Sequence, residues 1–318
     1  MTKATAPGKV ILFGEHAVVY GRPALAVPVT QVHTEVEVSD ASGAGIWIHA
    51  RQVDLHAEFS TLPPEHPIAA VIQRVFTALN LPFPVGGGVG DEGTPSIDIK
   101  ITSTIPVASG LGSGAAVSVA LIRALSSHLN HSMSDEQVNA LAYEVEKLHH
   151  GTPSGIDNSV ITYTKPVYFI IGQPIETFKV GKPFTIVIGD TGIRALTKES
   201  VGSVRKLWET DKTRWEKVFV NVGELVSQAR KTIENGEWEL LGSLMDQNHV
   251  LLQEMTVSSP ELDALVRAAR QAGALGAKLS GGGRGGNMIA LIKPDIANAV
   301  SKSIKDAGAK NVIITQVA

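Results

Sequence analysis

The sequence predicts a mixed α/β (α+β) protein, and three observations predict it. Residues 96–125 read as a strand, a glycine-rich loop and a helix in direct succession. Further short apolar strands and amphipathic helices recur in both halves of the chain. With 318 residues, 43% of them hydrophobic, there is enough apolar material for two modest domains or one large one.

Lys9–Phe13 is a short apolar strand broken by Gly14-Glu15-His16. Alternation at Thr34–Val38 and Ile46–His49 marks strands, and Pro67–Leu79 carries apolar residues at helical three and four spacing. The tract Val85–Thr94 is a glycine-rich loop. Ser96–Thr104 (SIDIKITST) alternates as a strand until Pro106, which has no N–H to continue a ladder. Helices follow at Ser113–Leu129 and Asp135–Leu148, the second with a capping box of Ser134 and Gln137. Gly151 and Pro153 stop it, and the loop TPSG delivers Asp157.

Tyr168–Ile171 and Phe184–Gly189 are strands, with the crossing between halves at Gly172–Lys182. This cuts the chain into 1–177 and 178–318. Helical spacing then covers Thr197–Leu207, Lys212–Asn235, Trp238–Met255 and Pro260–Ala272. Trp208, Trp215 and Trp238 fall on these helices as core residues. The last strand is Met288–Ile292.

Three stretches carry chemistry. In PVASGLGSGAA, Gly110, Gly112 and Gly114 alternate with Leu111 and Ser113 just before a helix. Bare backbone N–H groups at a helix start make a concavity suited to phosphate. GxxxxGK[ST] is absent, so this is not the common P-loop. Gly110, Gly112 and Ala115 fit G-x-G-x-x-A, yet a helix follows where a dinucleotide fold needs a strand ending in an acid.

In EVEKLHHGTPSGIDN, Glu146 sits on a helix and Asp157 on the loop beyond. One carboxylate can hold a divalent cation and the other can accept a proton. Taken singly, each also reads as a solvated charge or a turn residue; beside a phosphate loop the site reading gains. Glu146-x-x-His149 lacks the HExxH of a zinc protease helix, so His149 and His150 are read as helix-end histidines.

In KLSGGGRGG, five glycines surround Arg284. Ordering them costs roughly 0.5–1 kcal/mol each beyond an ordinary residue, which close approach to a ligand can offset. Glu15 and His16, between the apolar runs Val10–Phe13 and Ala17–Val19, are either site residues or charges on a surface turn.

A net charge of −3 leaves no basic footprint for nucleic acid. Zero cysteines excludes disulfides and thiol chemistry and suits a reducing cytosol. No window approaches a membrane span, and MTKATAPGK lacks a signal-peptide core. A cytoplasmic protein without nucleic-acid or membrane partners is expected, with a homodimer left open.

In order, PGKVILFGEHAVVYG, PVASGLGSGAA and KLSGGGRGG resemble the three motifs of the GHMP small-molecule kinases, over nearly the whole chain. Within that superfamily, GEHAVVYG followed by HGTPSGIDN is most similar to the mevalonate kinases. The resemblance implies a two-domain α/β fold with the active site in the cleft between domains. It implies phosphorylation of the primary hydroxyl of mevalonate with ATP and magnesium (Mg2+). Asp157 matches the catalytic aspartate and Lys9 its basic companion. Glu146 matches the magnesium ligand, joined by Ser113. Pro106, Ser109, Gly110, Leu111, Gly112, Ser113, Gly114 and Ala115 match the ATP phosphate loop. Glu15, His16, Thr197 and Gly282 match substrate-side positions. Two departures stand out: Gly114 replaces a serine common in the family, and Arg284 interrupts a motif usually made of glycine and alanine. The rival expectations are another GHMP kinase such as a phosphomevalonate kinase, a nucleotide-binding regulator without chemistry, and an NAD-dependent oxidoreductase.

Overall fold

The computed structural model of the chain describes all residues except Ala44, 83–95, 107–108, 151–153 and Ala195, and the side chains of His149 and His150. The expected loop at 85–94, the stop at Gly151 and Pro153, and the reading of the two histidine side chains lie outside the described residues.

The first unit comprises Met1–Gly8, Val32–Pro106 and Gly112–Thr164. Its strands are β1 (Thr2–Phe13) and β2 (Ala24–Asp40), both of which also carry residues of the second unit, then β3 (Ile46–Ala50) and β4 (Leu55–Glu58). Helix α1 (Pro67–Ala78) starts with proline at its first position, where the missing N–H costs nothing. It buries Ile68, Val71, Ile72, Val75 and Phe76 along one stripe. Strand β5 (Ile97–Ser103) pairs antiparallel with residues 34–40 of β2 and parallel with β3, which pairs antiparallel with β4. Its burial alternates, so Ile97, Ile99 and Ile101 face the core.

Three more helices complete this unit: α2 (Ser113–His128), α3 (Asp135–His150) and α4 (Ile156–Tyr163). The start of α3 has the expected capping box. The Gln137 N–H donates to Ser134 Oγ at 3.3 Å, and the Ser134 N–H donates to Gln137 Oε1 at 2.8 Å. Helix α2 is rich in small residues and packs against α1, α3 and α4, and α3 packs against α4.

The second unit comprises Lys9–Gln31, Val107–Leu111 and Lys165–Ala318. It opens with β6 (Val167–Phe169), which pairs with residues 24–26 of β2, and the two-residue β7 (Glu176–Thr177). Strand β8 (Phe184–Asp190) precedes the helices α5 (Thr197–Thr210), α6 (Lys212–Asn235), α7 (Trp238–Glu254) and α8 (Pro260–Gln271). Asp211 caps α6 by accepting from the Arg214 N–H at 3.0 Å, and Ser259 caps α8. The chain ends in β9 (Gly276–Ser280), β10 (Asn287–Ile292), α9 (Ala297–Asp306) and β11 (Asn311–Val317). An antiparallel sheet runs β11-β8-β10-β9 and buries every residue of β9 and β10, with α7, α8 and α9 packed on it.

Six of the described strands and α-helices went unread in the sequence: β4, β7, α4, β9, α9 and β11. Asp157 therefore lies in the first turn of a helix, where a loop was expected. Helix α4 is only eight residues long and rich in β-branched and hydroxyl side chains, so no periodic stripe announces it. Of the three tryptophans, Trp215 is buried, while Trp208 and Trp238 are half-exposed. Trp208 donates through Nε1 to Glu216 at 2.9 Å.

Candidate active site

In the first unit, Gly112 takes a left-handed conformation and caps α2, so Ser113, Gly114 and Ala115 form its first turn. Their N–H groups are among the four that a helix start leaves without internal acceptors. Glu146, near the end of α3, brings its carboxylate to this turn. A Cβ built on Gly114 would sit 3.8 Å from Glu146 Oε1. Asp157 belongs to α4, which packs against both α2 and α3. Both carboxylates are half-buried. The helices carrying the expected phosphate loop, metal ligand and catalytic acid thus pack together within one unit. Pro106 follows β5 by three residues and is half-buried.

In the second unit, residues 109–111 of the loop are tied to strands. The Lys9 N–H donates to Leu111 O at 2.9 Å, and Asn287 Nδ2 on β10 donates to Ser109 O. Gly110 sits over the same asparagine: a Cβ there would be 3.5 Å from Asn287 Nδ2. Lys9, on β1, is buried.

Glu15 and His16 are buried, at 2% and 5% exposure, which removes the surface-turn alternative. The turn is possible because Gly14 has a φ of +97° and approaches residue 24 so closely that a Cβ would lie 2.5 Å from Ala24 Cα. His16 itself is left-handed, with a φ of 62°, uncommon for a side chain of its size. Its Nε2 lies 3.1 Å from Gly282 O. A carbonyl only accepts, so Nε2 carries the proton. Burial, with the charges of Arg284 and Lys278 adding to it, holds the His16 pKa down to about 4. His16 is therefore a neutral imidazole whose Nδ1 is an acceptor, and that atom is buried without a hydrogen-bond partner among the described residues. Thr197 stands beside the same loop: a Cβ on Gly282 would come within 2.9 Å of Thr197 Oγ1. Glu15, His16, Gly282 and Thr197 are thus neighbours.

Two residues of this cluster were not anticipated. Lys278 on β9 has no exposed side-chain surface and forms an ion pair with Glu15, which lies 263 positions earlier. Asn287 holds residues 109 and 110 of the expected phosphate loop. Lys278 falls inside the motif KLSGGGRGG and was visible as a lone cation in an apolar strand, GAKLS. Arg284 does not face open solvent alone. It donates from Nη1 to Ser203 Oγ at 3.0 Å and from Nε to Thr256 O at 3.4 Å, bracing α5 against the end of α7.

Family models for the GHMP kinases match the chain twice, the N terminal domain over residues 70–165 and the C terminal domain over 229–310. The chain belongs to the GHMP kinases. As such it is an ATP-dependent small-molecule kinase. The mevalonate kinase of Pyrococcus horikoshii is 39% identical over 320 residues, covering 96% of this chain and 92% of the relative. That of Thermococcus sibiricus is 36% identical over 326 residues, covering 98% and 94%. Among solved structures, L. major mevalonate kinase in complex with R-mevalonate is 30% identical with a TM-score of 0.84, covering all of this chain and 96% of that one. No described helix of this GHMP kinase is long and apolar enough to cross a membrane.

Proposed function

We propose that this GHMP kinase transfers the γ-phosphoryl group of ATP to the primary (C5) hydroxyl of mevalonate, giving 5-phosphomevalonate and ADP. The observation that carries the reading is its similarity, over nearly its full length, to mevalonate kinases.

The division of labour follows from what phosphoryl transfer needs, which is alignment and charge neutralisation more than covalent chemistry. Backbone N–H groups around Gly110 to Ala115 hold the phosphates of ATP at the start of α2. Glu146 and Ser113 fit a magnesium ion. Glu146 meets the first turn of α2, and among the described residues no cluster of three or more acidic or histidine ligands gathers elsewhere. Magnesium takes one or two carboxylates and fills its remaining positions with phosphate oxygens and water. When bound, it would neutralise charge on the triphosphate. The first-turn Gly114 offers no hydroxyl, which leaves Ser113 as the side-chain oxygen there.

Asp157 accepts the proton of the mevalonate hydroxyl as its oxygen attacks the γ-phosphorus and the bond to ADP breaks. Lys9 supplies positive charge for the developing alkoxide. Glu15, His16, Thr197 and Gly282 hold the acceptor alcohol. A cytoplasmic location, and the absence of nucleic-acid partners, belong to the same reading and rest on composition.

The test is ADP release from the purified protein with ATP and magnesium, offered mevalonate, phosphomevalonate, galactose and homoserine in turn. Turnover on mevalonate alone is expected. Asp157→Asn should lower kcat by roughly 10²–10⁴-fold while ATP still binds. Turnover on a different alcohol overturns the substrate, and near-normal turnover by Asp157→Asn removes that residue from its role.

A further inference from the structure

The Glu15–Lys278 pair is more completely buried than any role in stability requires. Replacing such a pair by apolar residues is commonly neutral or stabilising, whereas removing one partner is costly. Two hydrogen bonds and an aromatic face hold the Lys278 ammonium. One bond goes to Glu15, one to Leu279 O at 2.6 Å, and the Phe13 ring lies 6.0 Å from Nζ. The lysine has no freedom to reach a ligand.

Glu15 differs. Its Oε1 is spent on Lys278, while Oε2 is buried without a hydrogen-bond partner of normal geometry among the described residues. The backbone N–H groups of Glu15 itself and of Gly281 also favour the carboxylate. On the next residue, His16 Nδ1 is a second buried acceptor without a partner. Acceptors of this kind on consecutive residues, one anionic and one neutral, recognise hydroxyl donors and repel a carboxylate.

We propose that Lys278 is a positioning residue for the acceptor alcohol: it fixes Glu15 as an anion through Oε1 and leaves Oε2 to receive a substrate hydroxyl. This rests on the reading of Glu15 and His16 as substrate-side residues. The charged and titratable groups around the pair are few. His16 faces Lys278 and Arg284, and His249 on α7 faces Lys278. His249 accepts from the Leu279 N–H at 3.3 Å and is held by Asp263 of α8 at 3.1 Å. Burial pushes the Glu15 carboxyl up and the Lys278 ammonium down, and each opposes the shift in the other. Without Lys278 only backbone N–H groups, those of Glu15 itself and of Gly281, resist protonation of Glu15.

The experiment measures the KM for mevalonate and for ATP between pH 6 and pH 9 in the wild-type protein, Lys278→Met, and the double variant Lys278→Met/Glu15→Gln. Lys278→Met should raise the mevalonate KM on the order of tenfold at pH 7, leave the ATP KM unchanged, and recover as rising pH ionises Glu15. The double variant removes both charges, so it folds, and its mevalonate KM should stay raised at every pH. An unchanged KM in Lys278→Met, or a rise independent of pH, overturns the proposal. So does a wild-type KM in the double variant, which decides alone if the single variant does not fold. No mevalonate turnover by the wild-type protein would overturn the functional reading together with it; an unchanged or pH-independent KM in Lys278→Met removes only the role of Lys278, and a wild-type KM in the double variant removes that of Glu15 as well.

Discussion

Replacing Gly283 by alanine puts a methyl group where the backbone leaves no room. The added Cβ would lie 1.9 Å from Val257 O and 2.9 Å from its carbonyl carbon, at a φ of +75°. Both close atoms are backbone, so the loop and the segment after α7 must part by more than an ångström. The same carbonyl accepts the Arg284 N–H at 2.7 Å, and that bond weakens with the separation. A left-handed alanine costs about 1–2 kcal/mol, and the lost hydrogen bond adds about 1 kcal/mol. With residual crowding, Gly283→Ala should lose roughly 2–4 kcal/mol. Gly281→Ala is the internal control. Its φ is +90°, but nothing lies within 4 Å of the added atom, so only the conformational cost of about 1–2 kcal/mol applies. Urea denaturation followed by circular dichroism compares the two, and the shift in midpoint at constant slope gives the difference. Equal losses would refute the reasoning, because only one of the two glycines is required by close approach. Gly283→Ala should also raise the mevalonate KM, since the displaced loop carries the Gly282 carbonyl that holds His16.

Two further outcomes are expected. His16 has a folded pKa of about 4 against an ordinary 6.5, so between these values the unfolded chain binds more protons and stability falls as pH drops through that window. His16→Gln should remove roughly 2–3 kcal/mol of the stability difference between pH 7.5 and pH 4.5, leaving the share of His249, which burial shifts in the same direction; identical pH slopes in urea titrations would contradict this. Ser134→Ala removes half of the capping box of α3 and should cost about 1 kcal/mol in the same titrations without changing either KM, and no loss would mean that water replaces the cap.

Much of the second unit was readable because long amphipathic helices state their own period. The expected Lys212–Asn235 helix matches α6 residue for residue, and α7 and α8 fall within one residue of expectation. The strand, loop and helix at residues 97–128 were equally plain, since glycines before a run of small apolar residues leave few other conformations. Shorter elements were lost. Strand β9 has five residues with a lysine in the middle, and its buried character comes from β10 and α7 on either side, not from its own pattern. Whether Arg284 contacts a ligand or faces solvent stayed open in the sequence, because nothing local announces Ser203 and Thr256 as its partners.

By itself the sequence determined the glycine-rich loop ahead of α2, the helix that carries Glu146 and the glycine-rich third motif, because each depends on residues a few places apart. Backbone conformation and helix starts are local properties, and local properties survive in one dimension. Only the tertiary structure decided the fate of Glu15. A charge between apolar runs is exposed or buried according to what covers it, and the cover is a lysine 263 residues away. The same holds for residues 9–31, which join the unit built mainly from 165–318. Burial is a sum over neighbours distant in the chain, so the electrostatics that tune Glu15, His16 and Lys278 come into being when those neighbours meet.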